Sequence, residues 1–450
     1  MHHQMDTILK RIRQDIALHF EPDSVLSVCR SVGHSWRKTI LNPVATLHLF
    51  IIQILHGNTA IEHISLLAGR LFTGAAYCVA RARLPVAFYL GILSNQVKSL
   101  VGDTLQQGLW RGHRTLLIDG SGFSMPDEPE LQKHFGQPSN QALGCGFPVA
   151  KFLAVFDAAT GFLLDIAAAA LRTHEMSQLS RVHPIMKRGD VLVGDRGFCS
   201  FAHLVILVQD GIHAVFRMHQ RVIVEFTPNR PHTSSHGKNS VKGVPRSRWL
   251  RSLGVLDQLV EWFKPRERPE WMTAAEYAAL PESIIVRELR YDVGRPGFRT
   301  KTVTLVTTLL DAELYPLEEL AKLYGMRWRV ELNFRHLKTT MKMDVLKCKT
   351  VDGILKEMIV YAMVYNIVRS VMYEAAWNQG VNVERISFVD VLRWLAQARP
   401  GEKMPRFVVN PDRPGRFEPR VRKRRPKQYP LMQKPRAELR KLLLPQDVAA

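Results

Sequence analysis

Cysteine is sparse in this chain and never closely paired. Cys29, Cys78, Cys145, Cys199 and Cys348 are the five among 450 residues, and no CxxC occurs. That scatter argues against a zinc site and a disulfide framework, and it fits a reducing compartment. Long apolar runs are lacking as well. Pro43–Leu55 is interrupted by histidine and Met358–Met372 by Asn366 and Arg369, so neither suits a bilayer span. The opening stretch MHHQMDTILKRIRQDI has no apolar core of the signal-peptide kind. The expected location is the cytoplasm. Internal repeats are missing, and Gly120-Ser121-Gly122 lacks the lysine and spacing of a P-loop. Acids are in deficit: 41 Asp and Glu face 62 Lys and Arg, a net charge of +21. An excess of that size calls for a polyanionic partner, nucleic acid or an anionic membrane. What is present is a globular composition, 46% hydrophobic and 23% charged, on a chain long enough for two to four domains. A soluble nucleic-acid-binding protein is the first expectation.

Residues 1–110 read as helices: Asp6–His19, Val44–Leu55, Ala60–Leu71 and Ala87–Gln106, punctuated by Pro22, Pro43 and Pro85. They are basic through Arg11, Arg13, Arg30, Arg37, Lys38, Arg81 and Arg83, without a clear helix-turn-helix signature. An alternating α/β block follows over 111–218. TLLIDG (115–120) is a strand ending in Asp119. KFLAVFD (151–157) and FLLDIAAAALR (162–172) form a hairpin, with Asp157 and Asp165 beside its turn. A helix is expected over Glu175–Lys187, with His174-Glu175 at its start in a capping role. VLVGD (191–195) is a buried strand ending in Asp195, then a helix spans Phe201–Gln209 and HAVFRM (213–218) is a strand. Residues 219–297 are irregular, with a Pro/Gly/Ser-rich basic loop at 227–248 and strands expected at 256–272 and 283–292. KTVTLVTTLL (301–310) is β-branched, Pro316 opens a helix, and Asp352–Ala376 is a long helix carrying Asn366 and Arg369 as polar groups for the core or an interface. From 381 the chain turns basic. Residues 401–450 hold 14 Lys and Arg against 5 acids, and the block Arg420, Arg422, Lys423, Arg424, Arg425 and Lys427 is suited to a polyanion.

One stretch draws the rest together: YGMRWRVELNFRHLKTTMK, Tyr324 to Lys342. On a single helix at about 100° per residue, Tyr324, Arg327, Glu331, Arg335, Lys338 and Lys342 fall within roughly 80° of one another. Leu323, Met326, Val330, Phe334, Leu337 and Met341 gather on the neighbouring face and would anchor it to a core. The stripe has two readings: a solvated face with Glu331 paired to Arg327 or Arg335, or a site where Glu331 holds a metal and the cations hold phosphates. Gly325 bears on the helix itself, because glycine weakens a helix interior by about 1 kcal/mol and often ends one. One helix would then close at Tyr324, and the Glu331 helix would start at Met326. Asp119 and Asp195 at two strand ends favour the second reading of the stripe. Three converging carboxylates repel, and divalent metal offsets the repulsion; Mg²⁺ takes oxygen ligands and leaves positions for water and phosphate. Two such ions can activate an attacking oxygen and stabilise a leaving one.

The residues resemble a known family, the DDE transposases of bacterial insertion sequences, in the group called insertion-sequence family four, marked by Y-x2-R-x3-E-x6-K. Tyr324, Arg327, Glu331 and Lys338 match that spacing. The likeness extends to IDGS (118–121), GDRGFCSF (194–201), VFRMHQR (215–221), the region over 270–288, and KEMIVYAMVYNIVRS (356–370). It implies an α/β fold: a ribonuclease-H-like catalytic core interrupted by a β-rich insertion, with a helical N-terminal domain and a basic C-terminal tail. The expected division is 1–110 for DNA-end binding, 111–218 and 298–380 for the core, 219–297 for the insertion and 381–450 for the basic region. By the same resemblance Asp119, Asp195 and Glu331 are the catalytic metal ligands. The ions are two Mg²⁺, with Mn²⁺ as a substitute. Tyr324, Arg327 and Lys338 hold phosphates at the transposon end. Arg196 stands between a phosphate contact and a structural pair. Trp271 is the first candidate for stacking on a flipped base, with Trp262 and Trp249 behind it, and core packing is the alternative for each. The implied activity is cleavage at terminal inverted repeats of double-stranded DNA, then transfer of the 3′-OH ends to target DNA by a homodimer in a synaptic complex, in the bacterial nucleoid. A catalytically inactive DNA-binding relative (a repressor or domesticated factor) and a metal-dependent nuclease on the same fold are the competing readings.

Overall fold

A computed structural model describes residues 20–104, 108–173, 175–233, 243–293, 302–398, 402–411 and 432–443. The Asp6–His19 helix, His174 and the basic block at 420–427 lie outside the described residues. The architecture is mixed α/β, built on one nine-stranded sheet. Its strands are β1 (Thr115–Ser124), β2 (Val149–Asp157), β3 (Leu163–Ala170), β4 (Val191–Gly194), β5 (His213–Arg217), β6 (Arg248–Gly254), β7 (Asp257–Phe263), β8 (Ser283–Asp292) and β9 (Thr302–Thr307), in the spatial order β3-β2-β1-β4-β5-β9-β8-β7-β6. β1, β4 and β5 run parallel; every other neighbouring pair is antiparallel. The parallel strands are near-continuous apolar runs, Leu116-Leu117-Ile118, Val191-Leu192-Val193 and Ala214-Val215-Phe216, all buried. Such runs mark strands covered on both faces.

The helix Val351–Gln379 supplies much of that cover. Thr350 caps its start by accepting the Gly353 N–H at 3.1 Å, and Gly380 ends it in the left-handed conformation at φ 64°. A one-sided apolar face is expected from its sequence, yet almost every side chain from Ile354 to Val371 is buried. It packs against β3 and against the helix Val86–Thr104, so it is a core helix and not a surface one. Asn366 and Arg369, two of its buried polar residues, are structural, as the sequence suggests. Asn366 accepts from the Leu163 N–H and donates to the Leu163 carbonyl, both at 2.8 Å. Arg369 donates to the Thr160 carbonyl and pairs with Glu384 at 2.8 Å.

Several local expectations are corrected. The 175–187 helix is a chain of short turns, Glu175–Gln178, Leu179–Val182 and His183–Ile185; Pro184 lacks the N–H that an α-helical ladder needs. The helix expected to Leu71 ends at Leu67, ahead of Gly69 and Arg70 at positive φ. The strand expected over 256–272 ends at Phe263, since Pro265 and Pro269 cannot pair as strand residues. A helix at Ala274–Ala278 follows, unread in the sequence although Thr273 and Glu276 have capping-box spacing. Asp165 lies in β3, its Oδ1 accepting the Ile166 N–H, while Asp157 does shape the hairpin turn through Thr160. β6, β7 and β8 join the main sheet, β8 pairing with β9. The buried pair Arg287–Asp257, with Arg287 donating to the Tyr315 carbonyl at 2.7 Å, ties that extension to the segment before Leu317. No single helix among the described residues is long and apolar enough to cross a membrane. One bent pair, Gly74–Arg83 with Val86–Val101 at 79°, passes by length and composition alone.

Candidate functional site

The last rung between the parallel strands β1 and β4 pairs Ile118 with Gly194. Asp119 and Asp195 therefore follow that rung side by side. Asp195 comes just past the end of β4, as expected, whereas Asp119 is in the middle of β1, still paired with Ala154 of β2, and not at the strand end expected from the sequence. Gly194 permits this closeness. A Cβ there would lie 3.0 Å from Ile118 Cγ2, 3.1 Å from Phe198 and 3.1 Å from Phe216. Beyond Asp195 the chain turns at once into the short helix Arg196–Phe198, with Asp195 at its N-terminal end.

The third carboxylate arrives on the stretch Tyr324 to Lys342, and that stretch is not one helix. Leu317–Gly325 and Trp328–Arg335 are separate α-helices, and His336–Thr340 is a π turn. The joint stays right-handed. It tightens to bonds three residues back, Arg327 N–H to the Tyr324 carbonyl at 3.0 Å and Val330 N–H to the Arg327 carbonyl at 3.0 Å. Its place beside Gly325 matches the weakness that glycine introduces. The apolar anchors behave as expected: Leu323, Val330, Phe334, Leu337 and Met341 are buried, Met326 partly so. Phe334 meets Phe152 and Phe156 edge-on at 5.3 and 5.7 Å, which seats the segment on β2.

Arg327 is the hub. Its Nη1 lies 3.2 Å from Asp119 Oδ2 and its Nη2 lies 3.5 Å from Glu331 Oε1. The pairing of Glu331 with Arg327 was one of two open in the sequence; the contact with Asp119, 208 residues away, has no local signal. Burial works against the charge on Arg327, but Tyr324, Asp195, Asp119 and Glu331 together push its pKa above the ordinary value. All three carboxylates thus act on one guanidinium. Tyr324 is buried, its ring 5.9 Å from that guanidinium and its hydroxyl without a hydrogen-bond partner. Burial first, and then the Asp195 charge, hold the phenol well above its usual pKa, so it stays protonated. Lys338 donates to Ser121 Oγ at 3.0 Å, and burial lowers its pKa. The π turn, not a helical stripe, carries Lys338 to β1. Ser121 was the unforeseen member, since nothing in the order of residues pairs it with a lysine 217 positions on.

The remaining sequence candidates lie elsewhere or are engaged. Arg196 is exposed and donates to Gln220 at 3.1 Å, an amide and not an acid. Trp271 is half-buried against the cluster of Phe201, Met272 and Tyr277. Trp262 donates to Glu288 at 2.9 Å, and Trp249 Nε1 is buried without a partner.

Oxygen-only donors suit a hard divalent cation. Asp195 Oδ1 is buried without a hydrogen-bond partner, an atom that such a cation would satisfy. Among the described residues, no three His, Cys, Asp or Glu side chains converge closely enough to hold a metal ion. The guanidinium of Arg327 stands between Asp119 and Glu331 instead.

The family described as Transposase DDE domain matches residues 110–367, more than half of the chain. The transposase InsG for insertion sequence element IS4 of Escherichia coli (strain K12) is 27% identical over 343 residues, covering 71% of this chain and 70% of that protein. Among solved structures, a cryo-EM structure of the piggyBac transposase synaptic complex with hairpin DNA aligns at a TM-score of 0.43 and 12% identity, over 85% of this chain and 78% of that one.

Proposed function

The chain belongs to the transposase DDE domain family, and from that premise we propose how its residues divide the work of a DNA transposase. It is an enzyme that cleaves DNA and transfers strands. The catalytic centre is Asp119, Asp195 and Glu331. The observation that carries this assignment is that the guanidinium of Arg327 pairs with both Asp119, 208 residues away, and Glu331, while Asp195 follows the same rung as Asp119 on the adjacent strand. The run β3-β2-β1-β4-β5, with parallel pairs at its centre, supports a ribonuclease-H-like core for 111–218 and 298–380, and β6 to β8 belong to an insertion over 219–297.

The three carboxylates would hold two Mg²⁺ ions, or Mn²⁺ in their place, through Asp119, Asp195 Oδ1 and Glu331. Bound there, the ions would supply Lewis-acid polarisation of a phosphodiester and activation of the attacking water or hydroxyl. The chain's own groups do the positioning. Arg327 and Lys338 present cations beside the carboxylates and take the flanking phosphates of a DNA end. Tyr324, protonated and buried, packs the floor under Arg327 and offers one hydroxyl toward that site. Arg196, exposed at the start of its short helix, takes a phosphate further along the duplex. Trp271 is the aromatic proposed to reach a flipped base. The helical region 1–110 binds the transposon end, and the basic region from 381, with Arg420, Arg422, Lys423, Arg424, Arg425 and Lys427, binds backbone. Joining two ends calls for a homodimer on double-stranded DNA, and the enzyme works in the bacterial nucleoid.

The test uses inverted repeats flanking the reading frame as labelled substrate. Mg²⁺-dependent nicking at the repeat terminus and joining to a target plasmid are expected. Binding without cleavage would favour an inactive DNA-binding relative, and cleavage without joining would favour a nuclease.

A further inference from the structure

Arg327 sits where a phosphate-binding residue need not sit. Its guanidinium is largely enclosed, with its side chain 14% exposed, and both terminal nitrogens face carboxylate oxygens and not solvent. The two oxygens it touches, Asp119 Oδ2 and Glu331 Oε1, belong to the residues assigned as metal ligands. Lys338 is likewise turned inward, onto Ser121 of β1 two residues beyond Asp119. Arg327 and Lys338 are thus folded back onto the centre that they flank. Electrostatics explains the arrangement. Three carboxylates brought together without a counter-charge repel by several kcal/mol at the effective dielectric of a protein surface, and one guanidinium offers two forked donors matched to two carboxylates.

We propose that Arg327 is a placeholder cation: it holds Asp119 and Glu331 in position beside Asp195 until divalent metal takes the same oxygens, and it then turns to a DNA phosphate. The proposal rests on the reading of these carboxylates as ligands. It makes Arg327 a positioning residue with two successive partners, so metal and the guanidinium compete in the free protein, while metal and DNA phosphate cooperate. The guanidinium's positive charge lies against both oxygens, so a divalent cation approaching Asp119 and Glu331 meets its repulsion until it moves away. This competition accounts for the lack of a ready three-ligand cage among the described residues.

The test is a calorimetric titration of Mn²⁺ into the full chain without DNA, with thermal melting in EDTA run alongside. Arg327→Gln is expected to bind Mn²⁺ at least tenfold more tightly than the parent, and to melt at a lower temperature in EDTA, with Mn²⁺ restoring the loss. Arg327→Lys keeps the charge without the fork and is expected to fall between the two; it also serves if Arg327→Gln does not fold. Adding a short duplex end to the parent is expected to raise its Mn²⁺ affinity toward that of Arg327→Gln. Equal or weaker Mn²⁺ binding by folded Arg327→Gln, or by Arg327→Lys in its place, overturns the exchange. The double variant Arg327→Gln with Asp119→Asn separates this failure from that of the ligand assignment. Loss of the gained affinity supports the proposal, whereas an undiminished gain means that the metal binds elsewhere and overturns the assignment as well.

Discussion

Gly194→Ala is the smallest change expected to disable the centre without touching a reacting group. The added methyl would stand 3.0 Å from Ile118 Cγ2 and 3.1 Å from both Phe198 and Phe216. Comfortable carbon contacts begin at about 3.5 Å, so each neighbour would have to retreat by a few tenths of an ångström. None is free to do so: Ile118 and Phe216 are 0% exposed and Phe198 is 1% exposed. Overpacking a rigid core costs about 1–3 kcal/mol. The strain falls between β1 and β4, at the rung just before Asp119 and Asp195. Moving one of those carboxylates by even a fraction of an ångström is expected to lower the rate of end cleavage about ten- to a hundredfold. Denaturant unfolding and single-turnover cleavage of a labelled end would measure the two effects. Parent stability together with parent cleavage in Gly194→Ala would refute the packing argument.

Gly325→Ala lies within the motif yet is expected to be harmless. A Cβ there meets nothing within 4 Å, and replacing glycine near a helix end is expected to stabilise by up to about 1 kcal/mol with cleavage retained; a drop in stability would contradict that. Asn366→Ala leaves the buried Leu163 amide and carbonyl without their shared partner and is expected to cost about 2–4 kcal/mol by unfolding, whereas a loss below about 0.5 kcal/mol would show those bonds to be replaceable. His336 opens the π turn and stacks on Phe388 at 4.2 Å, and burial first, then Arg369 and Arg335, lower its pKa from 6.5 to about 4. A lowered folded pKa means stability that is complete above pH 6.5 and is lost as pH falls toward 4. This amounts to about 3 kcal/mol for the shift. His336→Phe is expected to flatten that part of the stability profile, to which buried His203, lowered to about 3, also contributes; an unchanged slope would remove His336 from the account.

The parts of the fold written in local pattern were legible. The strands at 191–194 and 283–292 and the helix Phe201–Gln209 follow from apolar periodicity bounded by turn residues. Pro316 marks a helix start by its own chemistry. Less legible was anything decided by partners far along the chain. The long helix reads as one-sided because period alone cannot tell a second layer of neighbours from solvent. β6 goes unread in the sequence, and the pairing of β8 with β9 has no local sign. At the proposed centre, Asp119, Asp195 and Glu331 were singled out by strand position and family spacing. Their relation came from the fold: Arg327 between two of them, Lys338 delivered by a π turn, Gly194 setting the closeness of two strands. A helical wheel assumed one straight helix, and the tightened joint after Gly325 and the wide turn at His336 break that assumption.

The central claim is that Asp119, Asp195 and Glu331 form one metal-dependent catalytic centre. Its most direct test compares the parent with Asp119→Ala, Asp195→Ala and Glu331→Ala on a labelled transposon end, measuring DNA binding and Mg²⁺-dependent cleavage in the same samples. All three variants are expected to bind the end and to fail to cleave it, with losses of at least a thousandfold. Cleavage by Glu331→Ala at the parent rate would contradict the account.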